Sequence, residues 1–280
     1  MKYMCKSGIY KRVKIIRDES GSRGANPAAT PVENPDPDRS GEYNWKERHE
    51  QVKARNAQGG VNLVFIGDSI THYFGGEPEA KIVRAGEVWK KYYGHRQAVN
   101  MGFGWDRTEH VLWRLEKGEL DGIAPKVAVV MVGVNNLLRD YSPEQTAEGI
   151  RAIVDLVGKK LPQTKILLLG ILPFGIPVSG KVRTANELIS KFPDGRQIYF
   201  LDEWNMFLKS DSSIDKGLMS DTLHPNAKGY QIIAEAIEPK LTELFGEPPV
   251  RKDGMPIENA GKYLIGKVQF RNKMRWKKEK

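Results

Sequence analysis

Five short apolar runs alternate with segments of helical pattern along the middle of the chain. The runs are Leu63–Ile66, Ala98–Met101, Val127–Val134, Ile166–Leu172 and Ile198–Leu201. Each run is apolar at consecutive positions, so both faces of the strand that it predicts need to be covered. Such strands, separated by helix-sized segments, are typical of a parallel sheet with helices on both sides. The pattern therefore predicts a three-layer α/β domain with about five parallel strands.

Helix-start signals mark several of the segments between these runs. A polar helix is predicted from Tyr43 to Ala57. Asp106 with Glu109, and Ser142 with Gln145, have the spacing of a capping box, in which a side chain at each end of the first turn bonds a free backbone N–H. We therefore expect a helix to begin at each of these two pairs.

The two ends of the chain differ from its middle in composition and charge. The formal net charge is +9, of which residues 1–24 carry +5 and residues 250–280 carry +7, so the rest is slightly acidic. Residues 20–40 are rich in Gly, Pro, Asn and Asp, which bury too little apolar surface to offset ordering entropy. We predict a flexible basic leader over 1–42, a catalytic domain over 43–246 and a basic tail over 247–280.

This charge distribution argues against a nucleic-acid partner for the domain, since the basic residues are concentrated outside it. The ends are either solvated tails or contacts for anionic surfaces. No apolar run approaches the roughly 18 residues that a membrane-spanning helix needs. The N-terminus lacks the apolar core of a signal peptide, so a cytoplasmic protein is expected, or an exported one if the start is misassigned.

Metal and disulfide chemistry find little support in the sequence. Cys5 is the only cysteine, so no disulfide forms within the chain. The five histidines show no spacing typical of zinc ligands. We expect no metal and no cofactor.

A serine follows the first predicted strand at the point where a helix is expected to begin. The sequence Gly67-Asp68-Ser69-Ile70 places Ser69 just beyond the carboxyl end of the strand, where open α/β sheets build their sites. On its own the Gly-Asp-Ser tripeptide, residues 67–69, is more typical of a helix-capping turn. A nucleophilic serine needs a base and an acid as partners.

Asp221 and His224 are candidates for those partners. Their spacing lets the carboxylate bond one imidazole nitrogen and leaves the other nitrogen to accept a proton from serine. The chain order Ser, Asp, His fits an acyl-transfer triad. In isolation, an Asp capping a turn beside a packed His explains the same pair.

Two further strand ends offer hydrogen-bond donors for an oxyanion. Gly102 follows the second run and offers a backbone N–H, and Asn135 follows the third and offers its side-chain amide. Taken singly, a glycine in a turn and an asparagine in a cap are ordinary. Together with Ser69 they lie at the ends of the first three strands, which converge on one crevice in a doubly wound sheet.

These four blocks, in this order, resemble those of the SGNH (GDSL-type) serine hydrolases. The segment from Val99 to Asn136 looks especially like the catalytic subunits of brain-type platelet-activating-factor acetylhydrolases and their bacterial relatives. The resemblance covers 43–245, with Ile70 in place of the usual leucine and Asn136 in place of a common aspartate. It implies a flavodoxin-like, doubly wound sheet, no metal, and hydrolysis of short acyl esters. It also implies that Ser69 is the nucleophile and that the Ser69 and Gly102 N–H groups and the Asn135 amide form the oxyanion hole.

The expected substrate is a small acyl ester, and specifically an acetyl ester of a carbohydrate or small lipid. Candidate substrate-lining residues are Asp68, His72, Trp105, Arg107 and Asn136. Three alternatives stay open: an acyltransferase or a thioesterase with the same triad, and a non-catalytic scaffold or binding protein. Whether the protein forms a homodimer is also left open.

Overall fold

A single parallel sheet of five strands forms the centre of the protein, in the order β2-β1-β3-β4-β5. The computed structural model describes residues 25–35, 42–175 and 179–248. The strands are β1 Leu63–Gly67, β2 Ala98–Gly102, β3 Val127–Met131, β4 Lys165–Leu169 and β5 Ile198–Leu201. The predicted α/β class and all five runs are confirmed. The third and fourth strands end earlier than predicted, at Met131 and Leu169.

Helices cover the sheet on both faces. In the described part of the chain they are α1 Trp45–Ala57, α2 Ser69–His72, α3 Gly86–Tyr93, α4 Thr108–Arg114, α5 Val134–Leu138, α6 Pro143–Lys160, α7 Gly180–Ile189 and α8 Ala227–Phe245. Helix α3 packs against α8, whereas α4, α6 and α7 pack in a second row. The strand order reverses direction between β1 and β3, which leaves a crevice at the carboxyl ends of those two strands.

One of the two predicted capping boxes is confirmed. At the start of α6 the Gln145 N–H donates to Ser142 Oγ at 3.1 Å, and the Ser142 N–H donates to Gln145 Oε1 at 3.0 Å. The box predicted at Asp106 is wrong, since α4 begins at Thr108. The buried Asp106 carboxylate instead accepts hydrogen bonds from Trp45 Nε1 and Arg114 Nε, each at 2.7 Å. A charge-assisted bond to a buried guanidinium is stronger than a bond to a helix-end N–H.

Part of the predicted flexible leader packs on the domain, so that prediction is wrong for residues 25–35. The Thr108 hydroxyl donates to the carbonyl of Ala28 at 2.7 Å, and the Asn26 amide donates to the carbonyl of Gln145 at 3.0 Å. Helix α6 has Gly149 under this segment, where a Cβ would lie 2.5 Å from the Ala28 carbonyl oxygen. The segment is therefore held by hydrogen bonds and a close backbone approach, which composition does not reveal.

The domain extends slightly beyond its predicted end at residue 246. The buried Arg96 guanidinium pairs with Glu238 at 2.7 Å and with Glu247 at 2.6 Å, which ties the end of α8 to the segment after α3. Most of the predicted leader and basic tail lies outside the described residues, in 1–24 and 249–280. No helix in the described ranges is long and apolar enough to cross a membrane.

Candidate active site

Ser69 lies at the turn where β1 passes into α2. Asp68 caps this short helix by accepting the Ile70 N–H at 3.0 Å, and Ser69 is the first helical residue. The N–H groups in the first turn of a helix have no partner within it, so the Ser69 N–H is not used by α2. The Ser69 side chain is thereby held at the carboxyl edge of β1.

Asp221 and His224 reach Ser69 from the loop that precedes α8. Ser69 Oγ lies 3.0 Å from His224 Nε2, and His224 Nδ1 lies 2.9 Å from Asp221 Oδ2. The other carboxylate oxygen, Asp221 Oδ1, accepts the backbone N–H groups of Leu223 at 3.0 Å and His224 at 2.7 Å. The three side chains form a continuous hydrogen-bonded chain with the geometry of a Ser-His-Asp triad.

Two hydrogen bonds and one ion pair, from three separate segments, hold the two halves of this arrangement together. The hydroxyl of the buried Tyr230 in α8 donates to the carbonyl of Ile70 at 2.7 Å, which fixes α8 against the serine turn. The Gly175 N–H donates to the carbonyl of Thr222 at 3.2 Å, within the Asp-His loop. Arg84 Nη2 lies 3.7 Å from Asp221 Oδ2. None of these contacts was predicted, because nothing local in the sequence marks them.

The environment of His224 favours its neutral form. Burial lowers the pKa of His224 below its ordinary value, and the bond to Asp221 opposes this only in part. For Asp221, burial raises the pKa, but the hydrogen bonds donated by His224 outweigh it and leave the pKa below its ordinary value. Near neutral pH the pair is thus an ionised carboxylate beside a neutral imidazole, which is the state in which Nε2 accepts a proton from serine.

Asn135 lies at the crevice on the β3 side, in the first turn of α5. Its side chain is 6% exposed, and Nδ2 donates one hydrogen to the carbonyl of Asp106 at 2.9 Å. A primary amide carries two hydrogens, so this bond leaves the second one available and fixes its direction. The loop that contains Asp106 follows β2, and Asn135 therefore links the ends of β2 and β3.

The Gly102 N–H does not fit the oxyanion role predicted for it. It donates to the Asn100 side-chain oxygen at 2.8 Å within the protein. Gly102 is needed for a different reason, since a Cβ at this position would lie 2.3 Å from the backbone nitrogen of His72. The lack of a side chain at Gly102 therefore lets β2 and α2 pack closely against each other.

A different N–H of the same loop is available. The Phe103, Gly104 and Asp106 N–H groups donate to the Gly67 carbonyl, to His72 Nδ1 and to the Phe103 carbonyl. In the described structure Trp105 is the one residue of 102–106 whose N–H has no acceptor. Trp105 also has a left-handed backbone, with φ 67°, and its side chain is 45% exposed.

The five predicted substrate-lining residues differ in their access to a ligand. Asp68 and His72 are 1% and 3% exposed, and burial raises the pKa of Asp68 to about 7. Asn136 is fully buried and uses both ends of its amide, on Thr108 and Glu109, so it does not line the site. Trp105 is exposed and Arg107 is partly so, which makes these two the most accessible of the five.

Among the described residues, no three or more His, Cys, Asp or Glu side chains are grouped so that they could hold a metal ion.

Comparison with known proteins gives the family. A model of the GDSL-like lipase/acylhydrolase family matches residues 65–232, which include the serine turn and the Asp-His loop. The chain belongs to this family. Ester hydrolysis is the general activity that the family indicates.

Individual relatives agree with this assignment. The chain is 36% identical over 238 residues to platelet-activating factor acetylhydrolase IB subunit alpha1 from Rattus norvegicus, which covers 84% of this chain and 96% of that protein. It is 34% identical over 232 residues to the alpha2 subunit from Homo sapiens, with 81% and 96% covered. A GDSL-like lipase from Bacteroides thetaiotaomicron superposes with a TM-score of 0.57 at 16% identity, over 70% of this chain and 97% of that one, and so shares the fold.

Proposed function

We propose that this protein is a serine esterase that hydrolyses short acyl esters through an acyl-serine intermediate. The observation that carries the proposal is the bonded chain from Ser69 Oγ to His224 Nε2 at 3.0 Å and from His224 Nδ1 to Asp221 at 2.9 Å. A serine hydroxyl is a weak nucleophile at neutral pH, and an adjacent base that removes its proton activates it.

The reaction proceeds in two steps with His224 as the proton carrier. His224 Nε2 takes the Ser69 proton while Oγ bonds to the carbonyl carbon, and the alcohol then leaves with that proton. In the second step His224 takes a proton from water, the hydroxide attacks the acyl group, and Ser69 Oγ recovers its proton as the acid leaves. Asp221 remains ionised throughout and stabilises the imidazolium that forms in each step.

The developing negative charge on the carbonyl oxygen needs donors that have no other acceptor. We assign the Ser69 N–H, the Trp105 N–H and the second hydrogen of the Asn135 amide to this role, with Trp105 in place of Gly102. Support comes from the Trp105 N–H, which has no acceptor among the described residues, and from the Asn135 bond to Asp106, the residue next to Trp105. Such donors act mainly on the transition state, because the charge that they bind develops there.

An acetyl group is the acyl group that we propose for the substrate. The two relatives at 36% and 34% identity are both named acetylhydrolases. For the alcohol half we propose a carbohydrate or a small lipid. Trp105, exposed beside the assigned oxyanion donors, is within reach of that half of the ester.

The test is a comparison of wild type with Ser69→Ala on aryl esters of increasing acyl length. Wild type should prefer the acetyl ester and should be labelled by a fluorophosphonate probe, whereas the folded variant should show neither turnover nor labelling. Tyr92→Phe, which alters a hydroxyl bonded to Gln231 away from the site, is the matched control and should behave as wild type. Ester turnover by a folded Ser69→Ala protein at more than a few percent of wild type would refute the proposal.

A further inference from the structure

Both backbone polar groups of Gly104, the residue before Trp105, are bonded to side chains outside the triad. The Gly104 N–H donates to His72 Nδ1 at 3.1 Å, and the Tyr43 hydroxyl donates to the carbonyl oxygen of Gly104 at 2.7 Å. The two side chains also contact each other edge to face, with ring centroids 4.7 Å apart. Tyr43 and His72 together therefore fix both polar groups of one glycine.

Holding the Gly104 carbonyl fixes the direction of the next N–H. The peptide bond from Gly104 to Trp105 is trans, so its C=O and N–H point in opposite directions within one rigid plane. The carbonyl points at the Tyr43 hydroxyl, and the Trp105 N–H consequently points away from Tyr43. This is the N–H without an acceptor in the described structure.

The conformation at Trp105 needs such support. A non-glycine residue with φ 67° is in the left-handed region, where its Cβ crowds the backbone. A strained residue of this kind persists where its surroundings determine the backbone. The two hydrogen bonds on the preceding glycine provide that constraint.

The state of His72 also fits an accepting role. It is 3% exposed, and its Nδ1 must be unprotonated to accept the Gly104 N–H, which places the ring hydrogen on Nε2. Nε2 is buried without a hydrogen-bond partner in the described structure. An apolar side chain at this position would not bury an unpaired polar atom, so packing alone does not account for a histidine here. Burial, with the nearby Arg48 and Arg114 charges, lowers the pKa of His72 well below its ordinary value. The ring thus remains a neutral acceptor.

We propose that Tyr43 and His72 are positioning residues that hold the backbone of Gly104, on its carbonyl and its N–H respectively, so that the Trp105 N–H faces the oxyanion. The inference rests on the proposed esterase function. Neither residue touches the reacting atoms, and both act through the orientation of one N–H. Because this N–H acts on the transition state, its misplacement should lower kcat and leave KM nearly unchanged.

The experiment uses Tyr43→Phe, His72→Leu and His72→Asn in the full chain, with an acetyl aryl ester as substrate. Phenylalanine keeps the Tyr43 ring and loses only the hydroxyl. Asn Oδ1 stands two bonds beyond Cβ, as His Nδ1 does, and can accept the Gly104 N–H, whereas leucine has a carbon there. We expect kcat to fall about tenfold in Tyr43→Phe and in His72→Leu, with KM within twofold, and His72→Asn to recover at least half of the wild-type kcat.

Folding is checked by circular dichroism and kcat is normalised to the fluorophosphonate-labelled fraction. If His72→Leu does not fold, Tyr43→Phe carries the test, since it removes one oxygen atom. A kcat within twofold of wild type in Tyr43→Phe, or equal losses in His72→Leu and His72→Asn, would overturn the positioning role. Ser69→Ala separates the two proposals: its inactivity together with a normal kcat in Tyr43→Phe refutes only the positioning role, and its activity refutes the esterase itself.

Discussion

Asn135 and Asn136 are adjacent asparagines with different hydrogen bonds, so comparing their alanine variants tests the oxyanion assignment. Asn135 uses one amide hydrogen on Asp106 and has another to offer. Asn136 is fully buried and makes three bonds, each at 3.0 Å, with the Thr108 N–H, the Thr108 hydroxyl and Glu109. Replacing each by Ala should therefore affect different properties.

For Asn135→Ala the loss should appear mainly in catalysis. One hydrogen bond disappears from the folded state, which lowers the free energy of unfolding by about 0.5 to 1.5 kcal/mol. The loss of one oxyanion donor lowers kcat by about 10² to 10³, equivalent to about 2.7 to 4 kcal/mol, with KM little changed. Some activity persists, because the two assigned backbone donors remain.

For Asn136→Ala the loss should appear mainly in stability and little in catalysis. Three buried bonds are lost and the Thr108 N–H is left without an acceptor, so the free energy of unfolding should fall by about 2 to 4 kcal/mol. The fall in kcat per folded molecule should be no more than about threefold, because no atom of Asn136 is free to reach the substrate.

Urea unfolding gives the stabilities, and steady-state kinetics on an acetyl aryl ester, normalised by active-site labelling, give kcat. A folded Asn135→Ala protein with more than half of the wild-type kcat would remove Asn135 from the oxyanion hole. A loss of kcat as large in Asn136→Ala would show that both act by supporting the loops, and the assignment would then have no basis.

Two further predictions follow from the triad and its supports. The rate should fall on acidification as His224 becomes protonated. Because burial lowers the pKa of His224, the midpoint of the acidic limb of kcat/KM should lie below the ordinary histidine value of about 6.5. A midpoint above that value would contradict the neutral state inferred for His224. Tyr230→Phe removes the 2.7 Å bond to the Ile70 carbonyl and should lower the free energy of unfolding by about 1 kcal/mol in urea titration, and an unchanged stability would mean that this bond does not hold α8 to the serine turn.

The sheet and the triad were accessible to sequence reasoning because both follow from local rules. Apolar runs of strand length can be recognised in the sequence without knowledge of tertiary contacts. The carboxyl ends of parallel strands share one edge, so Ser69 and Asn135 were expected to lie near each other from their strand positions alone. The spacing of Asp221 and His224 allowed their bond, now observed at 2.9 Å.

The docking of residues 25–35 was missed because its determinants are distant in sequence. The bond between Thr108 and Ala28 spans 80 positions, and Gly149 contributes by what it lacks, which is a side chain. Composition reports how much apolar surface a segment has to bury. It does not report whether another segment presents a matching set of hydrogen-bond partners, so a polar segment that docks looks the same as one that does not.

The choice of Gly102 as an oxyanion donor shows a related limit. Gly102 is predicted as a donor because it follows the second strand and offers a backbone N–H, but that N–H is bonded to Asn100, and the close approach that Gly102 permits is that of the His72 backbone. Whether an N–H can serve a ligand depends on whether the protein already provides its acceptor, and that acceptor is set by tertiary structure. Trp105 has the opposite properties: an unfavourable residue type for a left-handed backbone, and an N–H that nothing in the described structure accepts. Since the Tyr43 and His72 bonds to Gly104 account for the strained backbone, they also explain how a tryptophan can occupy a left-handed position, which favours glycine.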